Sequence, residues 1–284
     1  MEKTILITGS GGFIGRNLKK YLKNKYKLLT PRSYELDLTN SVAVQNYFVK
    51  NKIDFIIHCG SVGGARGIQD KETTVEDNLA MVKNLLSSKR ENVKMILFGS
   101  GAMYDKSRSL HRVKESEIGK VIPKDLYGKS KVEIFNLVKN KNDVLMLNIF
   151  ACYGYGEKEN RFPSYAINQV LKNEDIIINQ NCIFDYLFVE DMQKIVEHFI
   201  EHDFVDNVIN ITPNLSISLE NIAKIVQKFS DKNIQIKIKI PELNNEYTGD
   251  NSLLLKNYPE LEFTEIEHGL KKLFEYKKER AKNE

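Results

Sequence analysis

The stretch Thr4-Ile5-Leu6-Ile7-Thr8-Gly9-Ser10-Gly11-Gly12-Phe13-Ile14-Gly15 decides the fold of this chain. Thr4–Thr8 is apolar and β-branched, the composition of a buried strand. Apolar residues at Phe13, Leu18 and Leu22 then mark a helix that begins directly after the glycines. Each glycine answers a separate need. Gly9 permits the tight turn out of the strand. Gly12 lets backbone N–H groups approach a pyrophosphate at the helix N-terminus, and Gly15 lets the helix pack closely on the sheet. Ser10, Gly11, Phe13 and Ile14 complete the loop around that phosphate position. Strand, glycine loop and helix in this order predict a dinucleotide-binding unit.

Outward from this unit, strand candidates Lys27–Thr30, Phe55–His58, Met95–Phe98 and Val144–Phe150 alternate with helical patterns such as Val75-Leu79-Val82-Leu86. Asn40 is a fitting N-cap for a helix running to about Lys50. Such alternation predicts right-handed βαβ units and an α/β fold, a Rossmann-like doubly wound parallel sheet. Beyond Gly154 the elements become shorter and mixed. Helices are expected over Pro163–Lys172, Glu190–Glu201, Leu219–Phe229 and Phe263–Lys277. Strands are expected over Ile176–Ile178, Val208–Ile211 and the alternating Ile234–Ile240, read as half-exposed. The expected division is a dinucleotide-binding domain over residues 1–155 plus about 180–212. A small α+β lobe for substrate takes about 156–179 and 213–284.

With 284 residues, 42% of them hydrophobic, the chain can bury a full core. Its longest apolar run, Val144–Gly156, falls short of the roughly 18 to 20 residues of a membrane helix, so no membrane partner is expected. Met1-Glu2-Lys3 leads straight into the first strand, which argues against a signal peptide. Three cysteines, Cys59, Cys152 and Cys182, in apolar or small-residue surroundings read as free thiols of a cytoplasmic protein. The net charge of +4 is spread over helix faces and the tail, a solvated surface and not a nucleic-acid footprint.

The spacing Gly9, Gly12, Gly15 resembles the TGxxGxxG fingerprint of the extended short-chain dehydrogenases/reductases, the NAD-dependent epimerase/dehydratase family. The resemblance covers nearly the whole chain. It implies that Asp37-Leu38 lies near the adenine and that Cys59-Gly60-Ser61 passes the cofactor ribose. Asn78 joins them from the following helix. NAD-choosing enzymes usually carry an acid at the end of the second strand. Here that stretch reads Leu29-Thr30-Pro31-Arg32-Ser33, with no acid before Glu35. A guanidinium binds a phosphate bidentately, so Arg32 points to NADP(H), unless it is simply a solvated loop arginine.

Tyr127 and Lys131 form a Tyr-x-x-x-Lys pair, and Tyr127 stands 27 residues beyond Ser100. Tyr21 and Lys25 make the same pattern without that context. In the family, Ser100, Tyr127 and Lys131 would be the catalytic trio. A phenol titrates near ~10, too high for proton exchange at neutral pH. An ammonium one helical turn along favours the phenolate. Ser100 would hydrogen-bond a substrate carbonyl, and Lys131 would also hold the nicotinamide ribose.

Three passages look like GDP-L-fucose synthase: Arg32–Leu38, Ser61-Val62-Gly63-Gly64 and Gly99-Ser100-Gly101-Ala102-Met103-Tyr104. That enzyme epimerises C3 and C5 with a cysteine two positions after the serine and a histidine beyond the Tyr-Gly motif. Here Ala102 replaces the cysteine, and Asn160-Arg161-Phe162-Pro163-Ser164 holds no histidine. The expectation is therefore ketone reduction at C4 of a nucleotide-activated, GDP-linked 4-keto-6-deoxyhexose or heptose, without epimerisation, in surface-polysaccharide sugar synthesis. The 4,6-dehydratases' Asp-Glu pair is absent at Gly101-Ala102. A 4-epimerase with retained NAD is the alternative, and a non-catalytic dinucleotide sensor is the alternative of another class.

Candidate substrate contacts are Gly101, Ala102, Arg161, Phe162, Asp185 and Tyr186. Phe184 stands where the family's diphosphate-gripping arginine would be, and Arg161 is the expected replacement. Asn148-Ile149-Phe150-Ala151 also departs from the usual Arg-Pro-x-Asn. His58 reads as a core histidine. His198 and His202 read as a surface pair, so no metal site is expected. The resemblance implies a homodimer formed through the helices that bear Asn78 and Tyr127.

Overall fold

The computed structural model describes residues 2–283. In chain order the elements begin β1 (Thr4–Thr8), α1 (Phe13–Leu22), β2 (Lys27–Leu29), α2 (Ser41–Lys50), β3 (Phe55–His58), α3 (Thr74–Ser88) and β4 (Lys94–Ser100). Next come β5 (Leu110–Val113), α4 (Leu126–Val138), β6 (Val144–Ile149), β7 (Ala151–Tyr153), α5 (Phe162–Lys172), β8 (Ile176–Gln180) and β9 (Ile183–Phe188). The chain closes with α6 (Val189–Glu201), β10 (Val208–Ile211), β11 (Ser216–Ser218), α7 (Leu219–Gln227), β12 (Ile236–Ile240), β13 (Tyr247–Gly249), α8 (Ser252–Asn257) and α9 (Ile266–Asn283).

The first compact unit comprises residues 1–107, 114–149 and 196–210. Its six-stranded sheet runs β10-β6-β4-β3-β1-β2, and the pairings β1–β2, β1–β3, β3–β4 and β4–β6 are parallel. The doubly wound fold is thus present. The order reverses between β1 and β3, and open α/β sheets bind ligands at such a switch point, outside the carboxyl ends of the strands. β1, β3 and the interior of β4 are buried on both faces, which is why they read as continuous apolar runs. Asn40 caps α2 as expected, its Oδ1 accepting from Ala43 N–H at 3.1 Å. β4 is longer than its apolar run, because pairing with β6 carries it on to Ser100.

The second unit comprises 108–113, 150–195 and 211–284. Here β11-β9-β13-β5 form one sheet, β7 pairs β9, and β12 pairs β8 in parallel. This differs from the expected division. Residues 150–155 and 180–195 belong with the second unit, because β9 pairs with β7, β11 and β13 rather than joining the large sheet. β5, β7, β11 and β13 escape a periodicity reading, being three or four residues long. β12 is also more open than half-buried. Ile238 and Ile240 are 36% and 39% exposed, since β12 pairs only with β8.

Close approach fixes the first turn. Gly9 has φ +65, and a Cβ there would lie 2.5 Å from Gly60 N. A Cβ at Gly15 would overlap the Gly9 carbonyl oxygen. Gly15→Ala should therefore destabilise the protein by about 1–3 kcal/mol and weaken dinucleotide binding in parallel, both measurable by thermal unfolding with and without nucleotide.

Candidate active site

Three strand ends converge at the switch point. β1 delivers the glycine loop, with Gly12 as N-cap of α1 and its N–H donating to Gly9 O at 3.0 Å. Gly11 and Gly12 are exposed while Gly15 is buried, so the loop's outer face is bare backbone at a helix N-terminus. Phe13 and Ile14, both half-buried, open the helix. Ser10 is 4% exposed and donates from its hydroxyl to Thr30 O at 3.3 Å, tying this loop to the end of β2.

Arg32 reaches across that tie. A Cβ at Gly11 would sit 2.5 Å from its Nη1, so the guanidinium lies flush on the glycine backbone. Ser10, Gly11, Arg16, Lys19, Lys20, Lys23 and Arg32 line a cavity of about 520 Å³. Glu35 does not face it as a ribose acceptor, because its Oε2 accepts from the Arg32 backbone N–H at 2.7 Å. The lysines of α1 carried no motif, although Arg16, Lys19, Lys20 and Lys23 fall at helical spacing beside the glycine loop.

Asp37 is folded onto its own turn, accepting from Thr39 N–H at 2.9 Å and Thr39 Oγ1 at 2.7 Å, which holds its carboxyl below the usual range. Leu38 is buried and approaches Gly60. Cys59 N–H donates to Thr8 O at 3.1 Å, stitching β3 to β1. Asn78 is buried and acts as a brace. It exchanges hydrogen bonds with Val62 N–H (2.8 Å) and Val62 O (2.9 Å), lies 3.4 Å from Ser61 Oγ, and donates to Ser130 Oγ at 3.1 Å. The loop after β3 is thus held to α3 and α4.

Ser100 ends β4 and caps the short 3-10 turn Gly101–Tyr104, its Oγ accepting from Ala102 N–H at 3.2 Å. That acceptance leaves the hydroxyl proton available to a carbonyl. Gly101 and Ala102 are buried within the turn. A polar core not legible in the sequence holds it: Tyr104 Oη donates to Asn210 Oδ1 at 2.7 Å, and Asn148 Nδ2 donates to the same oxygen at 3.2 Å.

Tyr127 lies in the first turn of α4, whose N-cap Asp125 accepts from Gly128 N–H at 2.9 Å. Lys131 is 5% exposed, donates from Nζ to Phe98 O at 2.9 Å, and stands 5.3 Å over the Tyr127 ring centroid. Burial pulls its pKa down to about 8, with the Cys59 thiol opposing. His58, bonded to Thr8 Oγ1 at 2.7 Å, is driven to about 3 by burial and by Lys131, and is the expected neutral core histidine. Burial pushes the Cys59 thiol up.

In the second unit, Arg161 is the N-cap residue of α5, which opens with Phe162 and Pro163. Asp185 is fully buried, accepting from Ser216 Oγ and Gly249 N–H, each at 3.1 Å. It ties β9 to β11 and β13. Tyr186 is half-buried and packs 5.5 Å from Phe184. No described group of histidines, cysteines and carboxylates is arranged to hold a metal, and no described helix is long and apolar enough to cross a membrane.

The sequence profile of the NAD dependent epimerase/dehydratase family matches residues 5–212. The chain belongs to this family. Over 107 residues it is 38% identical to the GDP-L-colitose synthase of Yersinia pseudotuberculosis, covering 36% of this chain and 35% of that protein. It is 25% identical to the GDP-6-deoxy-D-talose 4-dehydrogenase of Aggregatibacter actinomycetemcomitans over 82% of each. Among solved structures, the Campylobacter jejuni GDP-mannoheptose C4 reductase with NADP bound superposes with TM-score 0.84 at 18% identity, covering 98% of both chains. A GDP-L-fucose synthetase from Naegleria fowleri gives 0.86 at 16%, covering 99% and 94%. These superpositions establish the shared fold.

Lys131 sets a pH signature. Its folded pKa lies below its unfolded value of 10.5. Below about 8 the protein bears a buried charge, and stability rises as pH climbs from there towards 10.5. The burden at neutral pH is on the order of 3 kcal/mol, less about 1 for the bond to Phe98 O. Lys131→Met should therefore raise unfolding free energy by about 2 kcal/mol at neutral pH, the gain shrinking towards pH 10. Thermal unfolding across pH checks both signs.

Proposed function

We propose that this chain is an NADPH-dependent C4 ketoreductase of a GDP-linked 4-keto-6-deoxyhexose or heptose, without C3/C5 epimerase activity. The observation that carries the reading is the buried Lys131 ammonium over the Tyr127 ring, one helical turn along α4. The names of the relatives support it: a GDP-mannoheptose C4 reductase, a GDP-6-deoxy-D-talose 4-dehydrogenase and a GDP-L-colitose synthase.

The residues fit NADP(H). The bare backbone at Gly11-Gly12 suits the pyrophosphate, and the cavity lined by Arg16, Lys19, Lys20 and Arg32 suits a further phosphate on the adenine ribose. Arg32→Ala should raise the KM for NADPH by more than about tenfold and leave that for NADH nearly unchanged, as steady-state kinetics with both cofactors would report.

When bound, NADPH supplies a hydride to the carbonyl carbon. Tyr127 gives its phenolic proton to the carbonyl oxygen. The ammonium of Lys131 stabilises the phenolate left behind. Ser100 would donate its hydroxyl hydrogen bond to the same carbonyl oxygen and stabilise the negative charge developing there. Ala102 offers only a methyl, which moves no proton at C3 or C5. Arg161 is the cation assigned to the diphosphate.

NADPH should be consumed only when a 4-keto sugar nucleotide is supplied. Tyr127→Phe should lose at least about 100-fold in rate with NADPH binding kept. In heavy water, NMR of the product should find no enzymatic label at C3 or C5. Turnover without net NADPH consumption would instead indicate a 4-epimerase, and rapid exchange at C3 or C5 would overturn the argument from Ala102.

A further inference from the structure

The glycine-bearing loop after β3, residues 61–70, exposes Arg66, Gly67, Ile68 and Gln69 to solvent, yet its two ends are fixed. Asn78 holds one end, through Val62. Asp70 holds the other, its two carboxylate oxygens each taking one backbone N–H. Oδ1 accepts from Gly64 at 2.8 Å, and Oδ2 accepts from Tyr127 at 2.9 Å. The second donor belongs to the first turn of α4, where N–H groups have no partner inside the helix and a negative charge is favoured. Asp125 already takes the N–H of Gly128. Asp70 therefore closes the helix end and clamps Gly64 to it with the same group.

That clamp places the Gly64 backbone on the aromatic ring. Gly64 has φ +71, and a Cβ there would lie 2.9, 2.9 and 3.0 Å from three ring atoms of Tyr127. Only a residue without a side chain permits this approach. The neighbouring Gly63 is equally tight against Asp70, where a Cβ would be 2.7 Å from Oδ1.

We infer that Asp70 is a positioning residue: by bridging Gly64 and Tyr127 it packs the loop backbone against the Tyr127 ring and holds the phenol beside Lys131. This rests on the catalytic reading of Tyr127, and its test separates the two. Lys131, on the same helix, stands over the ring, and Asp70, from the loop, accepts from the Tyr127 backbone N–H. His58 and Cys59, at the end of β3 beside Lys131, are both held neutral by burial.

Asp70→Asn keeps the shape but presents an amide N–H₂ to one of the two N–H donors, so one arm of the bridge fails. The decisive measurement needs no substrate. In the full-length protein without added nucleotide, the tyrosinate absorbance of Tyr127 is titrated as the difference from the same background carrying Tyr127→Phe. Removing the Asp70 charge alone would favour the phenolate and move the midpoint down. Release of the ring from Lys131, whose ammonium is present below about pH 8, removes the tyrosinate formed in that range and moves the titration up. The inference expects an upward shift, and an unchanged or lowered midpoint overturns it.

In turnover, kcat should fall roughly 10- to 100-fold with the KM for NADPH within about twofold of the parent. Equal damage to both constants would mark a purely structural role. Gly64→Ala should mimic the loss, and the double variant should be no worse than the poorer single one, since both act on one contact. Additive losses would count against the clamp. Full reduction by Tyr127→Phe would sink the ketoreductase reading while leaving the titration result standing.

Discussion

A buried ammonium governs the first unit. Lys131 sits at 5% exposure with the Phe98 carbonyl as its bonded partner, and what acts on its titration is burial and a thiol. A charge taken out of water is costly unless hydrogen bonds and packing hold it. α3 packs on α4, and β4 brings the Phe98 carbonyl to meet the ammonium. His58 and Cys59, the side chains closing that pocket at the end of β3, stay neutral because the same burial penalises their charged forms. The positive charge is left uncancelled, and an uncancelled cation is what a phenol needs to become a usable acid. Stability is given up at the site where the proposed function places the chemistry.

The glycines serve the same end by a different route. At Gly9 and Gly15 no side chain fits because β1, β3 and α1 come within backbone contact. At Gly64 none fits because the ring of Tyr127 is there. The first pair shapes the loop between β1 and α1, and the third confines the phenol proposed as proton donor. At Gly9 and Gly15 both pressed surfaces are main chain, and at Gly64 the main chain is pressed on a side-chain ring; main chain cannot change rotamer and so holds its neighbour to a narrow range of positions.

Much of this was legible before any coordinates. The strand, glycine loop and helix from Thr4 to Leu22, the parallel alternation and the spacing of Ser100, Tyr127 and Lys131 are local patterns, and local patterns are written in consecutive residues. The partners of Lys131 and the bridge of Asp70 were not. Asp70 reaches Tyr127 across 57 positions and belongs to no motif. The polar core of Tyr104, Asn148 and Asn210 is equally scattered. The second unit was misdivided for a related reason. β9 reads as an ordinary strand, and nothing in Ile183–Phe188 says that its partners are β7, β11 and β13.

In β9 the alternation of a strand decides what surrounds each residue. A strand alternates its faces, so Phe184-Asp185-Tyr186 must send the carboxylate one way and both rings the other. Asp185 turns inward, fully buried and bonded to Ser216 and Gly249. Phe184 and Tyr186 share the opposite face, with Tyr247 5.8 Å from Phe184 and Phe150 5.4 Å from Tyr247. An arginine at position 184 would present a cation on that face, whereas a phenyl ring presents only apolar edge and π-surface. Rings pack against the C–H faces of a sugar and give a diphosphate nothing to bind beyond a tyrosine hydroxyl. Under the proposed function, charge for the diphosphate comes from another element of the chain. This is why Arg161, which opens α5 with its backbone still extended, carries that part of the functional proposal.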